Sequence, residues 1–227
     1  GRVDVSYGTS VGHHALLPAR ALATVVTSLE TFDGLSPTAV DTVLVVFPDL
    51  QGRLVGKRVT GGFFLERVAE GSIEACNYLL AVDVEMTPLP GYRAFNWDQG
   101  YGDFSAVPDL TTIRMVPWLE KTALVLCDLV DEHSRQPIEV SPRRILQRLE
   151  EQAAARGLLV HIGAELEFFL FKESYADAAA KRYQDLTPHS DVIEDYHILQ
   201  TSRDEYLIRA IRNGLDAMAD TLPDARV

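Results

Sequence analysis

Positive charge is scarce in this chain of 227 residues. Lys and Arg total 21 against 33 Asp and Glu, a formal net charge of −12. Phosphate backbones are bound by clustered Lys and Arg, so the balance argues against nucleic acid as a partner. It argues equally against an anionic membrane surface. Long apolar runs are missing too: none reaches the roughly 18 residues of a membrane span. The first residues lack the basic start and apolar core of a secretory signal, so the expected location is cytoplasmic. Only two cysteines occur, Cys76 and Cys127. Each lies in an apolar run with no histidine at ligand spacing, and both are expected to be buried free thiols of a reducing compartment. Hydrophobic residues at 47% and charged residues at 24% are ordinary globular usage and exclude general disorder. The length allows one large domain or two small ones.

Familiar nucleotide-binding signatures are absent. Gly52-Arg53-Leu54-Val55-Gly56-Lys57-Arg58 superficially resembles a phosphate loop, but it is one residue short and has Arg58 where a Mg-binding Ser or Thr belongs. There is no G-x-G-x-x-G, no internal repeat and no low-complexity tract.

Residues 1–18 show no period and are expected to form a mobile arm. Their His13-His14 pair is expected to be solvated rather than metal-bound. Leu22, Val25, Val26 and Leu29 give a helix over about 19–30 one apolar face. Asp41–Phe47 and Arg53–Val59 read as a hairpin around Pro48–Gly52. Phe63–Glu70 reads as a short helix packed through Phe64, Leu65 and Val68. Further strands are expected at Asn77–Val82, Thr112–Val116 and Thr122–Leu129. Hairpin, helix, then strands is the order of a β-grasp domain, an α+β arrangement. Between Asp83 and Ser105 lies an aperiodic segment rich in aromatics, Gly and Asp. It is either a functional loop or a surface excursion whose Trp97 and Tyr101 fold back on the body.

Asp131-Glu132-His133 reads as a solvated turn, because adjacent residues in a turn rarely converge on one ion. Ser141-Pro142 is the cap and first position of a helix running to about Arg156, stopped by Gly157. Ile145, Leu146, Leu149 and Ala153 are expected to face inward. Strands are expected at Leu158–Ile162 and Glu165–Phe171, and helix at Ala176–Tyr183. A last helix, Arg203–Ala219, is capped by Ser202, with Leu207, Ile208, Ile211, Leu215 and Met218 on one face. A domain boundary is placed near Pro137.

The most chemical segment is Gly163-Ala164-Glu165-Leu166-Glu167-Phe168-Phe169-Leu170-Phe171. On a strand, residues i and i+2 share a face about 6.6 Å apart at a rise of roughly 3.3 Å per residue. Glu165 and Glu167 would then each reach one ion of a pair whose members sit about 3.5–4 Å apart. Carboxylate oxygens suit Mg²⁺ or Mn²⁺. A half-exposed strand with a polar face is the plainer alternative. Phe168–Phe171 is apolar on both faces, however, and carboxylates on a covered strand are costly unless paired or metal-bound.

That segment resembles the metal-binding Gly-x-Glu-x-Glu-Phe strand of the glutamine synthetase family. Other pieces agree in order. Asp49–Arg58 is similar to the family's first hairpin. Gly100-Tyr101-Gly102-Asp103 with Pro108-Asp109-Leu110-Thr111-Thr112 and Pro117-Trp118 resembles its Asp-x-x-x-x-Pro-Asp-x-x-Thr segment. Ser141-Pro142-Arg143 resembles the start of its catalytic domain. The resemblance spans about 40–214 and is nearest to the branch joining glutamate to amines, the γ-glutamyl-polyamine and γ-glutamyl-ethanolamine synthetases.

The resemblance implies an arm and helix at 1–37, a β-grasp domain at 38–137, and the beginning of the catalytic α/β domain at 138–227. It implies ATP and Mg²⁺ or Mn²⁺ as cofactors, and glutamate with an amine or ammonia as substrates. ATP would phosphorylate the γ-carboxylate, and the amine would displace phosphate from γ-glutamyl phosphate. Glu165 and Glu167 would be ligands to two different ions. Asp103 would lie on the amine-entry side and act on the neighbouring subunit of a ring. Two departures stand out. The stretch Leu89–Phe95 lacks the Asp-Gly-Ser-Ser of ammonium-using members, which favours a larger amine. The family's later elements, including its Gly-Gln-x-Glu segment, its glutamate-binding arginines and most of its ATP site, are not within these residues. The chain therefore looks like the N-terminal half and is expected to be inactive alone. The alternative is a non-catalytic relative serving assembly or binding.

Overall fold

The computed structural model describes residues 40–93, 95–98 and 100–219. The helix expected over 19–30 and the His13-His14 pair lie outside these residues. By internal contacts the chain separates into two compact units. One holds His161–Leu215; the other holds the described residues up to Val160 together with 216–219.

The unit up to Val160 is a mixed sheet with helices. Its strands are β1 (Thr42–Pro48), β2 (Leu54–Thr60), β3 (Ile73–Cys76), β4 (Asp103–Pro108), β5 (Arg114–Met115) and β6 (Thr122–Asp131). The order is β2-β1-β6-β4-β3, with β5 also on β6. β1 and β6 run parallel, Thr42 opposite Thr122 and Val46 opposite Leu126. The other pairings are antiparallel. β1 is apolar on both faces because it is an inner strand: Val43, Val45, Val46 and Phe47 are all buried. Gly56 of β2 has φ +155, and a Cβ there would fall 2.0 Å from the Val45 carbonyl oxygen, so the hairpin needs glycine at that point.

A helical turn α1 (Gly61–Phe63) follows and runs directly into a π-helical turn at Phe64–Val68. The Thr60 hydroxyl accepts from the Phe63 amide at its start. Phe64 and Val68 enter the core beside Phe47, Phe104, Val125 and Leu129. Leu65, expected inward, is exposed, because a π turn rotates successive side chains differently from the 3.6-residue period. Phe47 and Phe104 meet edge to face, centroids 5.1 Å apart.

Three segment boundaries in this unit are corrected. The strand expected at Asn77–Val82 lies earlier, at Ile73–Cys76, where β4 supplies hydrogen-bond partners. Asn77–Leu80 is a 3₁₀ turn that drops Leu80 into the core. The strand expected at Thr112–Val116 shrinks to two residues. Asp109 caps a 3₁₀ turn at Leu110–Thr112, and the Thr112 hydroxyl accepts from the Leu126 amide in place of a strand partner. The aperiodic reading of Asp83–Ser105 also ran too far, since its last three residues open β4. Phe104, Ser105 and Ala106 are consecutively buried there, which masks a two-residue alternation.

Helix α2 (Pro142–Ala154) begins with Pro at its first position, as read. Ser141 makes no side-chain cap bond; its carbonyl accepts from the Ile145 amide. Gly157 at φ +71 ends the helix, and the Leu158 amide reaches back to the Ala153 carbonyl. Ile145, Leu146 and Leu149, expected inward, are exposed, and Ala153 is half-buried.

The His161–Leu215 unit differs from expectation most. Neither Leu158–Ile162 nor Glu165–Phe171 forms a strand; Phe171 alone makes a bridge, to Pro188. A strand exists only where a neighbour takes its N–H and C=O groups, and among the described residues a neighbour, 187–189, lies alongside only from Leu170 onward. Leu166 and Phe169 are 91% and 86% exposed. Short helices α3 (Tyr175–Ala180) and α4 (Ile198–Thr201) precede the long α5 (Glu205–Ala219). Ser202 does not cap α5. Its hydroxyl donates to the Ile198 carbonyl and closes α4, and Asp204 stands at the α5 start, its carbonyl accepting from the Ile208 amide. Leu207, Ile208 and Met218 are half-buried, whereas Ile211 and Leu215 are exposed.

Candidate functional site

Glu165 and Glu167 lie in the irregular run before Phe171, both exposed. Their oxygens have the right chemistry for Mg²⁺ or Mn²⁺. Two carboxylates are fewer than such an ion takes, and among the described residues no group of three acidic, His or Cys side chains gathers to hold one. What these residues fit is part of a ligand set.

Asp103 opens β4 opposite Cys76. It lines a cleft of about 330 Å³ with Asn77, Phe95, Phe104, Asp131 and Glu139. Asp103 and the Glu pair belong to different units. The Asp131 carboxylate is occupied by the turn it caps, accepting from the Ser134 amide and hydroxyl and from the His133 amide. Those bonds, the Ser134 amide first, hold it below its ordinary value.

The segment from Asp83 toward Asp103 is anchored by the first hairpin. Asp49 is fully buried and accepts from the Gln51 and Arg53 amides and from Arg53 Nε. Burial pushes its carboxyl up, but those donors outweigh it and the group sits below its ordinary value. Arg53 then donates to the carbonyls of Val84 and Asp83 at 2.6 and 3.0 Å, and Gln51 donates to Val82 at 2.9 Å. The run that resembled a phosphate loop is thus a hairpin whose arginine holds a neighbouring loop. At the loop's far end Tyr78, Tyr101 and Trp97 stack edge to face, with Trp97 80% exposed. Tyr101 packs back on Tyr78, as the surface-excursion reading expects, whereas Trp97 touches Tyr101 and otherwise faces solvent.

A second polar node was not read from the sequence. Arg143, on α2, donates Nε to Asp128 at 2.7 Å and Nη2 to Asp109, and Gln147 donates to Asp128 at 2.9 Å. Burial lowers the tendency of Arg143 to stay charged, but the two carboxylates more than offset it. Asp109 and Arg143 each sat in a recognised motif, but 34 residues separate them, and no local pattern links such a pair. Both cysteines are free. Cys127 is buried, and burial pushes its thiol up to about 12; Cys76 is only half-buried. Among the described residues no helix is long and apolar enough to cross a membrane.

Residues 139–223 match the family model for glutamine synthetase, catalytic domain. Over 187 residues the chain is 44% identical to a γ-glutamylethanolamide synthetase of Streptomyces coelicolor, covering 82% of this chain and 40% of that protein. Over 184 residues it is 31% identical to a glutamate–isopropylamine ligase of Pseudomonas sp, covering 81% and 40%. A solved novel glutamine synthase homolog aligns with a TM-score of 0.44 at 20% identity, over 63% of this chain and 36% of that one. The chain spans about 40% of the length of these curated relatives. The matched catalytic-domain pattern and the two amine ligases aligned over most of its residues place the chain in the glutamine synthetase family.

Proposed function

We propose that this chain is part of an ATP-dependent ligase that forms a γ-glutamyl amide from glutamate and an amine or ammonia through γ-glutamyl phosphate. The observation that carries the reading is the 44% identity to a protein named for γ-glutamylethanolamide synthesis. The second relative is named for isopropylamine. Together with the missing Asp-Gly-Ser-Ser at Leu89–Phe95, these names favour an organic amine over ammonia. Glu165 and Glu167 contribute ligands to two different Mg²⁺ or Mn²⁺ ions, the rest of the set coming from outside the described residues. Such ions, when bound, offset phosphate charge. Asp103 acts on the amine-entry side of a neighbouring subunit in a ring. The sheet order β2-β1-β6-β4-β3, with a parallel central pair and a helical turn after the first hairpin, supports a β-grasp domain over 38–137. The catalytic domain begins at 138. The location is cytoplasmic.

The exposed carboxylate pair, with no third ligand gathered beside it among the described residues, favours one further reading, that these residues alone serve assembly or binding. The deciding experiment is amine- and glutamate-dependent phosphate release from ATP by the longest natural form of the protein. Release with ethanolamine or isopropylamine is expected; none with any amine would leave only the assembly role. In that form Glu167→Gln is expected to abolish turnover with the sheet unit still folded, and full activity would remove Glu167 from the metal site.

A further inference from the structure

The His161–Leu215 unit has almost no apolar interior, since Ala178 is the one buried apolar residue among its described residues. Polar fastenings must hold it instead, and two lie at the ends of the short strip 187–189. At one end Glu173 accepts from the Thr187 amide and hydroxyl and from Lys181 Nζ. At the other end stands His189. Its amide donates to the Leu170 carbonyl at 2.9 Å, beside the Phe171–Pro188 bridge and a Lys172-to-Thr187 bond of 3.0 Å. Its imidazole Nε2 lies 2.9 Å from Asp204 Oδ1 at the start of α5.

The Asp204 side chain is 4% exposed, while His189 is 38% exposed. At the first position before a helix, an Asp carboxylate ordinarily accepts from the amides of the first turn. Here neither carboxylate oxygen accepts a well-formed hydrogen bond. The His189 imidazole, an ion-pair partner when protonated, is the side chain that meets this buried carboxylate. Removing one member of such a pair leaves an uncompensated charge inside the protein, whereas removing the charge itself relieves it.

We propose that His189 and Asp204 form a clasp that ties the run ending at Leu170 to the start of α5, making His189 a positioning residue for Glu165 and Glu167. Leu170 follows Glu167 by three residues, so the His189 amide bond is the first fixed point after the carboxylate pair. That Glu165 and Glu167 are the groups so positioned rests on the proposed function; the clasp itself does not.

Hydrogen exchange on the full chain tests it. His189→Ala is expected to raise exchange at least tenfold in peptides covering 170–173 and 186–190, leaving Thr122–Asp131 unchanged. Adding Asp204→Asn to His189→Ala is expected to restore most of the protection, a non-additivity that loss of packing alone does not produce. Unchanged exchange in His189→Ala, or a double variant worse than the single, would overturn the clasp. In the longest natural form, His189→Ala is expected to weaken Mn²⁺ binding about tenfold; equal Mn²⁺ affinity would overturn the positioning role. Glu167→Gln should leave exchange in these peptides untouched. Loss of the metal reading through that variant would therefore remain distinct from loss of the clasp.

Discussion

The two units place similar proportions of apolar sequence in opposite situations. In the sheet unit Val43–Phe47 and Thr122–Leu129 lie side by side, and each buries what the other offers. In the His161–Leu215 unit, Leu166, Phe168, Phe169 and Phe171 are equally apolar yet exposed. A hydrophobic run becomes a strand only when another segment supplies its ladder and covers its face. The first unit contains its own partners. The second is held by ion pairs and a few backbone bonds, among them Glu173 with Lys181 and His189 with Asp204.

The largest way to break this contrast is to empty the core of the first unit. Phe104→Ala is expected to cost about 3–5 kcal/mol, read as a lower denaturant midpoint followed by Trp fluorescence. No single apolar-to-Ala change at Leu166 or Phe169 should approach that, and an equal loss there would show a core in the second unit. Next in size is Arg53→Met. It removes charged hydrogen bonds to Asp49 and to two loop carbonyls and should cost about 1–3 kcal/mol. Hydrogen exchange should rise locally at Asp83–Thr87, and unchanged exchange there would mean the loop is held elsewhere.

Acid should separate the units in the other direction. Lys181 and the Thr187 amide hold Glu173 down at about 2 against an ordinary 4.5. A depressed carboxylate contributes its full stabilisation above its unfolded value and loses it as pH falls through the folded one. Protection at Thr187 should therefore weaken progressively between about pH 4.5 and 2, with Glu173→Gln insensitive over that range. A wild-type chain equally insensitive would deny Glu173 this role. The smallest effect is chemical. A thiol reagent should modify half-buried Cys76 in the folded chain and leave Cys127 untouched until the sheet unfolds. Equal rates at both thiols would contradict the burial of β6.

Much of the sheet unit was legible because its signals are local. The apolar run at Val43–Phe47, the Gly52 turn and the Ser141-Pro142 start each announce an element within a few residues. The π turn at Phe64–Val68, the early end of β3 and the strand hidden in Asp103–Pro108 were not legible, because each depends on what a distant segment supplies. The candidate site divides in the same way. Glu165 and Glu167 stood out by their place in a Gly-x-Glu-x-Glu-Phe motif, and Asp103 by motif as well. The Arg143 node and the His189–Asp204 pair join residues that no window along the chain contains.

By itself, then, the sequence determined which runs are apolar, where turns and helices start, and the order of motifs that marks the family. Those are properties of neighbouring residues. Tertiary structure alone decided which apolar runs found a partner, which of the acids became hydrogen-bonded anchors, and that Asp204 is buried against His189. Burial and hydrogen-bond satisfaction depend on segments that meet in space, and the same side chains read identically along the chain whether or not that meeting occurs.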